Sequence, residues 1–219
     1  MAKKRSKIEI HGLEARYYDL LLAVATLGRY GRMMERAIRH MNIQPDEWIA
    51  DFGCGPGTNA SRMARYLGCS GKVVGFDIGK EMLDQARKKQ EHDPHLQFEY
   101  QPIDEPLPAK WHRRFDRVLI SFVLHGFEQP TRLKILQNAW MAIRNGGTLS
   151  IVDWNEFNLA NQPLIFRWMF THIECELASE FISYNWKQLL REMGWQNCTE
   201  RTFFGGTVRL LQAQKTASR

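Results

Sequence analysis

Short apolar runs and longer stretches of helical spacing alternate along most of this chain, and the alternation predicts its architecture. Runs of strand length and composition fall at 48–51, 72–77, 96–101, 115–121 and 149–154. Between the first and second lies Asn59 to Gly68, and after the second comes Lys80 to Ala86, both with helical spacing. Strand–helix alternation of this kind implies a parallel sheet covered on both faces. Two more helical stretches precede the first strand, about Gly12 to Leu27 and Tyr30 to Met41, and another runs from Trp186 to Met193. Near the end, Gly205-Gly206 separates two β-rich runs and predicts a two-residue hairpin. There is no internal repeat and no low-complexity segment. A length of 219 residues suits one α/β domain with a sizeable core. The expected layout is a basic flexible tail at 1–12, capping helices at 13–46 and the sheet domain at 47–215. An insertion occupies 155–184 within that domain.

The most informative run is Trp48 to Thr58, WIADFGCGPGT. An apolar strand ends in Asp51, the turn Gly53-Cys54-Gly55-Pro56-Gly57 follows, and Thr58 opens a helical stretch. Bare backbone at such a turn lets a nucleotide-type ligand approach closely. A dinucleotide fingerprint starting at Gly53 needs its third glycine at position 58, which is Thr58; here it arrives one residue early, at Gly57. Asp51 also sets negative charge where a pyrophosphate would lie. An acid beside the loop suits a ligand that carries an ammonium and a sulfonium. A second strand ends in Asp77, about 20 residues beyond the glycine turn, the offset of a carboxylate that holds ribose hydroxyls.

With its acid followed by G-x-G-x-G, the chain resembles the class I S-adenosylmethionine-dependent methyltransferases. Ile78-Gly79-Lys80-Glu81-Met82-Leu83-Asp84-Gln85-Ala86 is similar to the family's D-x-S-x-x-M-L-x-x-A segment, with Gly79 in place of serine as N-cap. Phe115 to His125 is similar to F-D-x-V-x-x-x-x-x-L-H, Arg144 to Leu149 to L-K-P-G-G-x-L, and Met193-Gly194-Trp195 to the A-G-F turn. The match spans residues 47 to 214. It implies a Rossmann-like fold: a seven-stranded, mostly parallel sheet with a C-terminal antiparallel hairpin and helices on both faces. It implies S-adenosylmethionine as cofactor, held by Asp51, Gly53, Cys54, Gly55, Gly57, Thr58, Asp77 and Ser121, with Ile78 and Met82 on the adenine faces. The family's aspartate for the adenine amino group aligns with Ile103, with Asp104 one place later, so either Asp104 or backbone takes that role. Within the class the chain is most similar to the ubiquinone/menaquinone-biosynthesis-type branch. Tyr18-Asp19, Leu124-His125 and the ending Gly205 to Lys215 carry that similarity.

Methyl transfer is an in-line displacement, so placement supplies most of the rate, and a general base helps only with a hydroxyl or carbon-acid acceptor. His125, after the fourth strand, and Asp153, at the end of the fifth, are the candidate bases. Each also has a structural reading, His125 as a loop or cap residue and Asp153 as a turn acid. The insertion is rich in apolar and aromatic residues, Leu164 to Phe170. Most of these are expected simply to pack the cap onto the core. Phe166 and Met169, with Tyr17, Tyr18 and Trp154, are the candidate lining for an apolar acceptor.

Composition narrows the partners. The formal net charge is +6. Lys3, Lys4, Arg5 and Lys7 read as a tail, and Arg29, Arg32, Arg36 and Arg39 as one helix face. That face is either simply solvated or meets an anionic membrane surface or RNA. No apolar run reaches the ~18 residues of a membrane span, and none follows the basic start as in a signal peptide. None of Cys54, Cys69, Cys175 and Cys198 has C-x-x-C spacing, so reduced thiols in a cytoplasmic protein and no metal are expected. The primary expectation is a small or lipid-like acceptor. A nucleic-acid methyltransferase is the first alternative, disfavoured because Ser121-Phe122-Val123-Leu124 replaces N-P-P-Y or D-P-P-Y. A non-catalytic cofactor-binding module is the second. The acceptor atom and the oligomeric state are not legible.

Overall fold

The computed structural model describes residues 29–162, 164, 167, 170 and 176–216. The strands are β1 (Trp48–Phe52), β2 (Lys72–Asp77), β3 (Leu96–Tyr100), β4 (Phe115–Ser121), β5 (Ile143–Trp154), β6 (Trp195–Phe203) and β7 (Val208–Lys215). They form a seven-stranded sheet in the order β3-β2-β1-β4-β5-β7-β6. The first five strands pair in parallel, and β7 enters antiparallel between β5 and β6. Strand order reverses between β1 and β4. Ligands of open α/β sheets bind outside the carboxyl ends at such a switch point.

Side chains alternate across each strand, so the sheet feeds two cores. Ala50, Val74, Val118, Ile151 and Leu211 face one; Ile49, Val73, Leu119, Val152 and Leu210 face the other. The first core is closed by α4 (Gln129–Ala142), α5 (Glu176–Phe181) and α6 (Trp186–Glu192), the second by α1 (Arg29–His40), α2 (Thr58–Ala64) and α3 (Lys80–Gln90). Strands buried on both faces need near-continuous apolar runs, which is why these segments were legible.

Two local expectations are corrected. The Gly146-Gly147 turn does not precede β5 but bulges within it. Ile143 already pairs with Phe115, and the register then jumps to Arg117 and Thr148. The C-terminal hairpin has four connecting residues rather than two. Phe204, Gly205 and Gly206 all take positive φ (50°, 66° and 94°), and the Thr207 hydroxyl donates to the Phe204 carbonyl at 2.9 Å. The two glycines sit where left-handed backbone is needed, but a 3-10 turn absorbs the extra residues. The expected helix at Gly12 to Leu27 lies outside the described residues.

Candidate active site

The β1–α2 turn builds the first half of the site. Gly53 and Cys54 donate their backbone N–H groups to the Phe76 carbonyl at 2.8 and 3.1 Å, which ties the turn to β2. Lys89 reaches across from α3 and donates to the Pro56 carbonyl (2.5 Å) and the Thr58 hydroxyl (3.1 Å). The three glycines do different work. A Cβ on Gly53 would meet Val123 at 2.5 Å, and one on Gly57 would meet Phe98 at 2.6 Å, so both make room for packing. A Cβ on Gly55 would meet nothing within 4 Å. Gly55 therefore borders the open side of the turn. Cys54 is buried beneath it against Gly75, and burial, then Asp77 and Asp51, push its thiol well above the usual range. Only its backbone is in position to face a ligand.

Asp51 is the most unusual group. It is fully buried, and among the described residues neither carboxylate oxygen has a hydrogen-bond partner. Burial first, and the nearby Asp77 charge second, push it up to about 7. A buried carboxylate without a donor is unfavourable by itself and calls for a cation or donor that the described residues do not supply. Asp77 differs: Oδ2 accepts from Gly55 N at 2.7 Å and Oδ1 from Gly79 N at 2.8 Å. Each oxygen keeps a second acceptor position for a hydroxyl. Burial raises the Asp77 carboxyl, against these backbone hydrogen bonds, which lower it. An orphaned acid for an ammonium, an acceptor carboxylate for a ribose and open space at Gly55 fit S-adenosylmethionine.

The other residues expected at the cofactor divide. Ile78 is half-buried beside Asp77, and Met82 is buried one turn into α3. The Ser121 hydroxyl accepts from the Asn59 side chain at 3.2 Å. Ile103 sits in the core among Leu107 and Trp111, and its carbonyl accepts from Asn138 at 2.7 Å. Its side chain is buried there, and Asp104 is the half-exposed acid of that loop.

The second half lies on β4 and β5. The two candidate bases, His125 and Asp153, prove to be partners: Nδ1 of His125 lies 2.7 Å from Asp153 Oδ1. Asp153 is 1% exposed and also accepts from the backbone N–H groups of His125 (3.3 Å) and Trp154 (2.8 Å). With the imidazole neutral, Nδ1 donates to the Asp153 carboxylate and Nε2 keeps the lone pair, so the acid orients the base. The turn Leu124–Gly126 that carries His125 is held by Arg132. This fully buried guanidinium donates to the carbonyls of Leu124 (3.0 Å), His125 (3.3 Å) and Leu177 (2.8 Å). It thus ties the turn to α5, whose Phe181 packs edge-on against His125 with centroids 6.4 Å apart.

An aromatic wall borders this dyad. Phe122 contacts His125 (6.4 Å), Trp154 (6.1 Å) and Tyr30 of α1 (5.6 Å between centroids). Trp154 continues to Phe170 at 5.2 Å, and Phe170 to Phe157 at 5.7 Å. Phe122 has φ 53°, a left-handed conformation unfavourable for a bulky residue, stored at the carboxyl end of β4. Of the expected lining, Trp154 is in this wall. Tyr17, Tyr18, Phe166 and Met169 lie outside the described residues. From the insertion, Phe170 is buried, whereas Leu164 is 78% exposed and takes no part. Tyr30, Phe122, Phe157 and Arg132 were not singled out from the sequence. Phe122 had one signal, its place directly after the fourth strand.

Comparison with known proteins agrees with this geometry. The family described as "Methyltransferase domain" matches residues 49–147. A demethylmenaquinone methyltransferase of Oceanobacillus iheyensis is 26% identical, over 99% of this chain and 100% of its own length. An uncharacterized 37.1 kDa protein in transposon TN4556 of Streptomyces fradiae is 30% identical over 67% of this chain, which spans only 41% of that protein. In fold, the chain is similar to the crystal structure of an S-adenosylmethionine-dependent methyltransferase from Aquifex aeolicus. The TM-score is 0.59 at 19% identity, covering 82% of this chain and 88% of that one. The switch-point site and these matches together identify an S-adenosylmethionine-dependent methyltransferase of Rossmann-like fold, similar to the class I enzymes, with S-adenosylmethionine as its cofactor.

Proposed function

We propose that this methyltransferase acts on a small or lipid-like apolar acceptor that lies against the aromatic wall beside His125. The observation that carries this reading is the run Tyr30–Phe122–Trp154–Phe170 next to the His125–Asp153 pair. Flat rings flanking one polar group suit a planar apolar molecule with a single ionisable position. The name demethylmenaquinone methyltransferase on the Oceanobacillus relative points to an acceptor of the quinone type. Bound S-adenosylmethionine supplies an activated methyl group. Asp51 and Asp77 hold it, Gly55 admits it, and Asp104 is the candidate for its adenine amine. The aromatic wall keeps water from the acceptor, and His125 takes the proton that a hydroxyl or carbon acid must lose.

Phe122→Gly tests the acceptor site. Glycine relieves the left-handed strain, which offsets part of the lost packing, so the fold should persist. Cofactor affinity should change less than about twofold, while kcat/KM for an apolar acceptor should fall roughly tenfold to a hundredfold, the worth of one buried aromatic contact. The assay follows product on a panel of quinone-like and small aromatic acceptors. Activity confined to RNA, or no turnover of any acceptor, would overturn the proposal.

Gly55→Val tests the cofactor side. The open space around Gly55 predicts a folded protein destabilised by about 1–2 kcal/mol of left-handed strain, with cofactor affinity lowered more than about tenfold. Gly57→Val, which drives a side chain into Phe98, should instead lose stability first. Calorimetric titration and thermal melts on the two variants separate these outcomes.

A further inference from the structure

Helix α1 presents an arginine face for which the described residues show no ion pair and no place in the cofactor site. Arg29, Arg32, Arg36 and Arg39 are all exposed, while Met33, Met34, Ala37 and Ile38 anchor the opposite face in the core. The acid on this helix, Glu35, pairs with Arg65 of the neighbouring α2–β2 connection at 3.6 Å, both side chains more than half exposed. Such a pair leaves the surface strongly positive. The positive field extends past the end of the helix. Burial, then Arg201 of β6 and Arg39, hold the His40 imidazole below its ordinary value.

The placement of this face matters more than its charge. Tyr30, in the first turn of α1, packs at a tilt against Phe122 at the carboxyl edge, with ring centroids 5.6 Å apart. Arg29 and Arg32 therefore flank one corner of the aromatic wall, and Arg36 and Arg39 continue away from it along the same helix. No Phe, Tyr or Trp lies among the exposed residues of α1. Proteins that grip single-stranded RNA need stacking platforms between their cations, and this face has none. A continuous arginine surface of one helix, anchored from below, complements a smooth sheet of anionic headgroups instead.

We infer that the arginine face of α1 docks the protein on an anionic lipid surface, which sets the aromatic wall beside the lipid phase that carries its acceptor. This inference rests on the apolar-acceptor reading. Docking needs no spanning segment, and among the described residues no helix is long and apolar enough to cross a membrane. Each arginine near an anionic leaflet raises partitioning roughly fivefold, and salt screens the effect within a Debye length of about 8 Å at physiological ionic strength.

The test uses the full chain with vesicles of phosphatidylcholine, with and without phosphatidylglycerol, in a sedimentation assay. The protein should bind only the anionic vesicles, and binding should fall as salt rises. The triple variant Arg32→Gln, Arg36→Gln, Arg39→Gln should lose roughly a hundredfold in partitioning while keeping wild-type cofactor affinity and wild-type turnover of a detergent-dispersed acceptor. Equal binding to both vesicle types, or no loss in the triple variant, overturns the docking surface. So does arginine-dependent binding to RNA with none to vesicles. Failure of the acceptor reading shows separately, as absent turnover of dispersed acceptor by the unaltered protein.

Discussion

Asp51→Asn should weaken S-adenosylmethionine binding by about a hundredfold and, at the same time, raise the melting temperature of the ligand-free protein above neutral pH. The two effects share one cause. Asp51 is fully buried with neither oxygen partnered among the described residues, and burial together with Asp77 pushes its carboxyl up to about 7 from an ordinary 3.8. Between these values the folded chain holds a proton that the unfolded chain has released. Stability therefore falls as pH rises through that window, and the full penalty, on the order of a few kcal/mol, is present above it. Asparagine carries no charge, so the variant should match the wild type near pH 4 and exceed it near pH 8. The ligand side has the opposite sign. A charge-assisted contact between an ammonium and a desolvated carboxylate contributes about 3 kcal/mol, which an amide does not replace. For the wild type, affinity should rise by about tenfold per pH unit toward 7 and then level off, because below that pH a proton must leave Asp51 before it can pair. Calorimetry and thermal melts across pH check both statements. A pH-independent affinity, or an unchanged one in the variant, would remove Asp51 from the site.

The second large effect concerns the dyad. His125→Asn should lower kcat by roughly a hundredfold to ten-thousandfold on an acceptor that must lose a proton, with cofactor affinity unchanged. Asp153→Asn should act in the same direction without touching the acceptor. An amide at that position presents a donor or a weaker acceptor to Nδ1, so the imidazole loses the orientation that leaves its lone pair on Nε2. The distinguishing readout is the split between turnover and binding: kcat should fall in both variants while cofactor affinity stays at the wild-type value. If His125→Asn keeps turnover within about twofold, placement alone drives the transfer, and the pair serves only to hold the β4 and β5 ends together.

Both predictions show where reading the chain succeeded. The strand ends that carry Asp51 and Asp77 were legible because strands buried on both faces need unbroken apolar runs, and a run that stops at an acid marks its own carboxyl end. The G-x-G-x-G spacing separated this cofactor from a dinucleotide by a single residue. Strand β4 begins and ends where the pattern placed it, at Phe115 and Ser121; the polar stretch His112-Arg113-Arg114 sets its start, and the left-handed backbone of Phe122 ends it. Two segments were misjudged where local conformation answers to neighbouring strands. Gly146-Gly147 looks like a turn, yet pairing between Ile143 and Phe115 draws it into β5 as a bulge. Gly205-Gly206 looks like a tight hairpin, yet the register of β6 against β7 requires four connecting residues.

What the chain determined by itself is the order of elements, the class of cofactor and the two acids at the ends of β1 and β2. These depend on periodicity and short-range spacing, which any one segment carries alone. Tertiary structure alone decided that Gly55 rather than Gly53 or Gly57 faces open space, and that Ile103 turns into the core. It also decided that Asp51 lies buried with no donor among the described residues. The pairing of His125 with Asp153 across 28 residues of sequence belongs with these, as does the meeting of Tyr30 with Phe122. Each of these contacts joins segments whose separation is set by the parallel crossovers of the sheet. Adjacency at its carboxyl edge follows from strand order, β1 beside β4 and β4 beside β5, and strand order leaves no mark within a single strand.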